Sequence, residues 1–215
     1  MERIRELNLV ITGVGGQGQL FLSRVISETF LRLGIPSLVA ETHGMSQRGG
    51  SVIVHVRIGD AVKAPTIPQK QAEIMIGMEL IEAARYVDYL RDGGVAIVNE
   101  KLITPPGRNV KLKEDDLLKY LREKPIKLLT VRSSQRAVSL GIPLSANVHM
   151  FGAFIGLLEA VRTLDSSVDD VVKSVLPRRF LDQNLLLYRA GKEDIKKELN
   201  LEEIEKIKKI LTEKY

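Results

Sequence analysis

No cysteine occurs in the chain, which excludes structural disulfides, thiolate zinc sites, cysteine nucleophiles and any iron–sulfur cluster held by this polypeptide alone. Tryptophan is missing too, and five Tyr and five Phe are all the tyrosine and phenylalanine surface available for stacking bases. Long apolar runs are absent. The longest, Met150 to Leu158, holds nine residues, about half of what a membrane span needs. The opening Glu2, Arg3, Arg5 and Glu6 are not the core of a signal peptide. Any one-electron chemistry must therefore sit on another chain, and the expected compartment is the cytoplasm. Only three histidines are present, His43, His55 and His149, with no metal-ligand spacing between them, so no metal site is expected.

What is present describes an ordinary globular chain. Its 215 residues are 44% apolar and 27% charged, enough for one sizeable core and against disorder as a description of the whole. Lys and Arg exceed Asp and Glu by 32 to 27, a net charge of +5. The excess is spread along the sequence. In the Lys-rich stretch from Lys192 to Lys214, seven Lys face seven acids, which marks a solvated helix face and not a nucleic-acid arm. The division expected is a main α/β domain over 1–191 and a charged C-terminal helix over 192–215.

Hydrophobic period supplies the order of elements. Asn8–Gly13 reads as a short buried strand, and after a glycine loop Gln17–Leu33 carries apolar residues at helical spacing until Gly34 and Pro36 stop it. Strands are expected over Ser37–Glu41, Val52–Ile58, Ile74–Ile76, Val95–Val98 and Lys127–Val131. In Val52–Ile58 the alternation suggests one face less apolar than the other, with His55 on it as a structural histidine. Helices are expected over Glu79–Leu90, Asp115–Leu121, Ala146–Arg162, Val168–Leu176, Asp182–Ala190 and Leu201–Lys214. Pro105-Pro106-Gly107 marks a turn, Ser145 is a candidate cap, and Asn200 with Glu203 fits a capping box. Alternating strands and helices predict a three-layer α/β fold: an open, mostly parallel sheet covered on both faces, followed by a helical C-terminal part. In such sheets ligands sit beyond the carboxyl ends of strands.

Two segments fall on that edge. Gly13-Val14-Gly15-Gly16-Gln17-Gly18 fits G-x-G-x-x-G between a strand and a helix, and Glu41 follows the last glycine by 23 residues. Glycines there let backbone N–H groups approach a diphosphate at a helix N-terminus. The same glycines also serve a tight turn and a close helix–strand crossing. The second segment, Glu41-Thr42-His43-Gly44-Met45-Ser46-Gln47-Arg48-Gly49-Gly50-Ser51, is too polar for a core. It is either a solvated loop with a glycine hinge or a surface where His43, Gln47 and Arg48 face a ligand or partner, Arg48 being suited to a carboxylate or phosphate. No nucleophile-elbow pattern supports hydrolase chemistry. Gly152 and Gly156 are read as sites of close helix packing.

The pairing of Gly13–Gly18 with Thr42–Ser51, followed by Val56-Arg57-Ile58-Gly59, resembles the gamma-type domain of the 2-oxoacid:ferredoxin oxidoreductases, most nearly in the branch that acts on indolepyruvate. The likeness runs from about Leu7 to Arg162 and includes the helix start at Asn147. It implies an accessory subunit of a hetero-oligomer, inactive by itself. A larger partner would carry thiamine diphosphate, magnesium and iron–sulfur clusters, decarboxylate an aryl pyruvate, pass electrons to ferredoxin and transfer the acyl group to coenzyme A. The sequence agrees in what it omits: Gly59-Asp60 is followed by Ala61, where a thiamine-diphosphate metal motif has glycine. The resemblance implies that Gly13, Gly15, Gly16, Gln17 and Gly18 bind a phosphate, of coenzyme A for one, or shape the partner contact. His43, Gln47, Arg48, Gly49, Gly50 and Asn147 would face the joint active site. The competing expectation is a self-sufficient NAD- or FAD-binding protein built on the same glycines and Glu41.

Overall fold

In the computed structural model, residues 4–43, 49–104, 112–161, 163–164 and 166–212 are described. The turn expected at Pro105-Pro106-Gly107 lies outside them. Six strands, β1 (Leu7–Val14), β2 (Ser37–His43), β3 (Ser51–Ile58), β4 (Ala72–Gly77), β5 (Leu90–Asn99) and β6 (Lys127–Val131), form one sheet in the order β2-β3-β1-β4-β5-β6. β1, β4, β5 and β6 pair in parallel, while β3 is antiparallel to both of its neighbours, β1 and β2. Five strands therefore run one way and β3 alone runs against them.

Helices cover both faces. One core cluster joins Leu9, Ile11, Val54, Val56, Ile74 and Ile97 to α1 (Gln19–Arg32), α5 (Ala146–Ala160) and α7 (Leu181–Lys197). The other joins Val10, Ile53, Met75 and Ala96 to α2 (Leu80–Tyr86) and α3 (Glu114–Arg122). Consecutive strand residues thus serve opposite cores, which is why the strands read as continuous apolar runs. β3 has the less apolar face expected, Ile53, His55 and Arg57 against Val52, Val54, Val56 and Ile58, although that face too is covered, with only Arg57 half-buried. His55 sits within the second layer, 5% exposed, its Nδ1 accepting from the Ile67 amide at 3.2 Å and its ring edge-on to Tyr89.

Several boundaries also shift. The helix expected over 79–90 is the short α2 followed by a single 3-10 turn, Val87–Tyr89, and β5 begins at once. A helix not foreseen, α4 (Ser133–Ser139), follows β6. The segment expected as helix over 182–190 extends to Lys197, so position 191 falls inside α7. α6 (Val168–Val175) and α8 (Leu201–Thr212) match their expected cores. The capping box of α8 is formed: the Glu203 amide donates to Asn200 Oδ1 at 3.0 Å and the Asn200 amide to Glu203 Oε2 at 3.1 Å. Ile207 of α8 is buried in the first core, and Lys127 pairs with Glu203.

Gly152, Gly156 and Gly191 explain how α5 and α7 lie so close. A Cβ at Gly152 would strike the Tyr188 carbonyl, one at Gly156 would come within 2.8 Å of Lys192 Cα, and one at Gly191 would strike the His149 carbonyl. The contacts advance together, Gly152 on Tyr188 and then Gly156 on Lys192 and Ile195, so the two helices run in the same direction.

Candidate functional site at the carboxyl edge of the sheet

The glycine loop follows β1 where the connections diverge to the two sides of the sheet, the place where open α/β sheets bind ligands. Its shape comes from internal hydrogen bonds. Val14 N donates to Gln17 Oε1 at 2.7 Å, Gln17 N donates to Val14 O at 3.1 Å, and Gln19 Nε2 reaches Val14 O at 2.9 Å. Gln17 Nε2 then donates to the Met78 carbonyl at 3.2 Å, tying the loop to the end of β4. A side chain at Gly13 would come within 2.8 Å of Gln17 Oε1 and Met78 Cβ. Gly18 caps α1 with φ +83°, and Gly16, with φ +102°, has open space where a Cβ would stand.

The second segment arrives at the same place because β3 is antiparallel. Register sets Val14 opposite Ser51 and His43 opposite Val52, so the end of β2 and the start of β3 both lie at the carboxyl edge beside the glycine loop. The two glycine stretches bond directly, Gly15 N to Gly50 O at 2.8 Å and Gly49 N to Gly15 O at 3.4 Å, with Gly49 at φ +74°. Residues 44–48, including Gln47 and Arg48, lie outside the described residues, as does the side chain of His43. Ser51 is held from the other layer by Glu82 and by Tyr86 Oη at 2.8 Å, and Arg85 Nε pairs with Glu82 at 3.1 Å.

The third piece is α5. Asn147 is 7% exposed, and its Nδ2 donates to the Gly18 carbonyl at 3.4 Å while filling the space a Gly18 Cβ would need. Ser145 makes no side-chain cap; a 3-10 turn over Pro143–Ser145 leads into the helix instead. Gly13–Gly18, Gly49, Gly50 and Asn147 are therefore brought together. Glu41 is exposed on the edge strand and lines a groove of about 390 Å³ with Leu20, Arg24 and Leu31.

Sequence reasoning missed the supporting groups. Glu79 caps α2 by accepting from Ile81 N at 2.9 Å and from Glu82 N. Burial pushes its carboxyl above the usual range against those bonds, with Glu82 adding to the rise. Asn99, 1% exposed, donates to Met78 O at 3.1 Å and accepts from Ser134 N at 3.2 Å. Two residues past Asn147, His149 meets Ser133 Oγ at 2.8 Å and Asp194 Oδ2 at 3.3 Å, and Arg136 clasps Asp194 with two bonds of 2.9 Å. Burial pushes His149 down, opposed by Asp194; at Asp194 burial is outweighed by the Arg136 bonds, and its carboxyl stays low. Ser133 and His149 are wholly buried, so this Ser-His-Asp row joins three helices and exposes no nucleophile. No local signal pointed to it, because Ser133 and Asp194 come from elements whose packing is not written in local pattern. Among the described residues no group of His, Asp and Glu could hold a metal ion, and none of their helices is long and apolar enough to cross a membrane.

The family model of pyruvate ferredoxin/flavodoxin oxidoreductase matches residues 8–193, and the chain belongs to that family. It is 38% identical to indolepyruvate oxidoreductase subunit IorB of Archaeoglobus fulgidus, over 86% of this chain and 93% of that protein. The IorB subunit of Pyrococcus horikoshii is 32% identical, over 92% of this chain and all of that protein. In fold the chain is similar to the gamma subunit of a keto/oxoacid ferredoxin oxidoreductase from Geobacter sulfurreducens, with a TM-score of 0.68 at 19% identity, covering 89% of this chain and 99% of that one. The α/β fold expected from sequence is thus the fold of that gamma subunit. A self-sufficient NAD- or FAD-binding protein is not supported, since the matches are to subunits of oxidoreductases.

Proposed function

We propose that this chain is the accessory subunit of an indolepyruvate, or more broadly arylpyruvate, ferredoxin oxidoreductase, inactive without its larger partner and working in the cytoplasm. The observation that carries this reading is the meeting of Gly15 with Gly50 and of Gly18 with Asn147 at one sheet edge, in a chain 38% identical to an IorB subunit over 189 residues. Thiamine diphosphate with magnesium on the larger subunit supplies the decarboxylation, and its iron–sulfur clusters carry electrons to ferredoxin. This chain contributes positioning. Gln17 and Asn147 hold the glycine loop rigid from both sides. Gly16 offers open backbone to an anionic group, and the diphosphate of coenzyme A fits that role. His43, Gln47, Arg48, Gly49 and Gly50 face the joint active site, Arg48 supplying a fixed positive charge.

The test is anaerobic co-purification with the larger subunit and an assay of dye reduction that depends on both arylpyruvate and coenzyme A. The expected result is activity in the complex, none in either subunit alone, and a loss of at least about tenfold for Arg48→Ala, the scale of one charge-assisted contact. A larger subunit fully active by itself would refute the assignment.

A further inference from the structure

At the start of α7 an aromatic residue sits in a conformation it would ordinarily avoid. Phe180 has φ 58° and ψ 32°, the left-handed region, which costs a residue with a side chain about 1–2 kcal/mol. Burial does not offset that cost, since Phe180 is 49% exposed. The turn is instead enforced from below. Asn184, 5% exposed, donates its amide to Phe180 O at 2.9 Å and its side chain to Arg179 O at 3.4 Å. The Arg179 guanidinium lies 5.0 Å from the centre of the Phe180 ring. Strain held in place by a buried asparagine to present an aromatic side chain and an arginine outward points to recognition.

The corner also stands at the right end of the molecule. α5 and α7 run in the same direction, and α5 begins against Gly18, so the start of α7 lies toward the glycine-loop edge. Leu144, 91% exposed, directly precedes α5, and Leu20, 40% exposed, directly follows the loop. The chain leading into α5 and the first turn of α1 thus each expose a large apolar side chain, and Arg178 and Arg179 are exposed next to Phe180 in the chain. Aromatic and arginine side chains of this kind are enriched among residues that dominate binding energy.

We propose that Arg179 and Phe180 anchor the interface with the larger subunit, Phe180 entering an apolar pocket rimmed by acidic side chains on that partner, with Leu144 at its flank. This rests on the reading that a larger subunit covers the glycine-loop edge. The experiment measures binding of the full chain to the purified larger subunit, alongside the melting temperature of the chain alone. Phe180→Gly removes the ring and the backbone strain together. It is expected to melt no lower than wild type yet bind at least about tenfold more weakly. Arg179→Glu, a change at the surface, is expected to weaken binding in a salt-dependent way and decides the matter if the glycine variant folds poorly. Wild-type affinity in a folded Phe180→Gly chain, or in Arg179→Glu if it does not fold, refutes the interface and leaves the proposed function standing. Failure of the wild-type chain to bind the larger subunit refutes both.

Discussion

Replacing Gly18 by alanine tests the contact on which the candidate site depends. At φ +83° an alanine costs about 1–2 kcal/mol in backbone strain. Its Cβ would also displace the Asn147 amide, the end of a side chain that can swing aside by giving up its bond to Gly18 O, about 1 kcal/mol. The sum is about 2–3 kcal/mol, or a fall of about 4–12 °C in melting temperature for a chain of this size. The second contribution disappears once Asn147 is alanine. A double-mutant cycle by urea denaturation should therefore show Gly18→Ala costing about 1 kcal/mol less in the Asn147→Ala background than in wild type. Equal cost in both backgrounds, within about 0.5 kcal/mol, would mean that Asn147 does not rest on the loop, and the convergence of α5 with the glycine turn would have to be abandoned.

Other outcomes follow from the packing and the charges. Gly191→Ala places a methyl against the His149 carbonyl and 2.8 Å from Ala153 N, both backbone, so α5 and α7 must separate; calorimetry should show a loss of about 3 kcal/mol or more. Deleting residues 200–215 removes Ile207 from the core and the Lys127 partner Glu203, and should cost at least about 2 kcal/mol in urea denaturation; no loss would mean that α8 is a separate appendage. Burial lowers both His55 and His149 from the ordinary 6.5, at His149 against Asp194. The folded chain then binds fewer protons than the unfolded one just below that pH, so stability should fall as pH drops through 6.5 toward 5, and His149→Gln should make the fall shallower.

Order and type of the strands were legible because most carry their apolar residues in an unbroken run, as Leu9-Val10-Ile11 and Ile74-Met75-Ile76 do, and Val52–Ile58 carries them in alternation. Pairing was not. That β3 runs against its neighbours depends on contacts between β1 and β3 that are far apart in the chain, from Val14 with Ser51 to Leu7 with Ile58, and nothing in the local period of Val52–Ile58 reports them. α4 went unseen because Ser133-Ser134-Gln135-Arg136 offers one buried face of only Ser133 and Ala137. The glycines of the site were legible as backbone needing positive φ, which Gly16, Gly18 and Gly49 have. Gln17 and Asn147 were legible as residues of the site but not as its supports, and Asn99 and Glu82 were not legible at all, since all four act through hydrogen bonds that only the fold brings near.

The reversed strand has a consequence for how this site tolerates change. β3 is clamped by eight residue pairs to β1 and seven to β2, and a slip by one residue would turn every one of its side chains to the wrong layer. The connection that precedes it is therefore a bridge between two fixed piers. Both of its ends are held by pairs that do not depend on what lies between them, His43 with Val52 and Gly50 with Gly15. Sequence between those two fixed points is expected to vary more freely than the scaffold on either side of it.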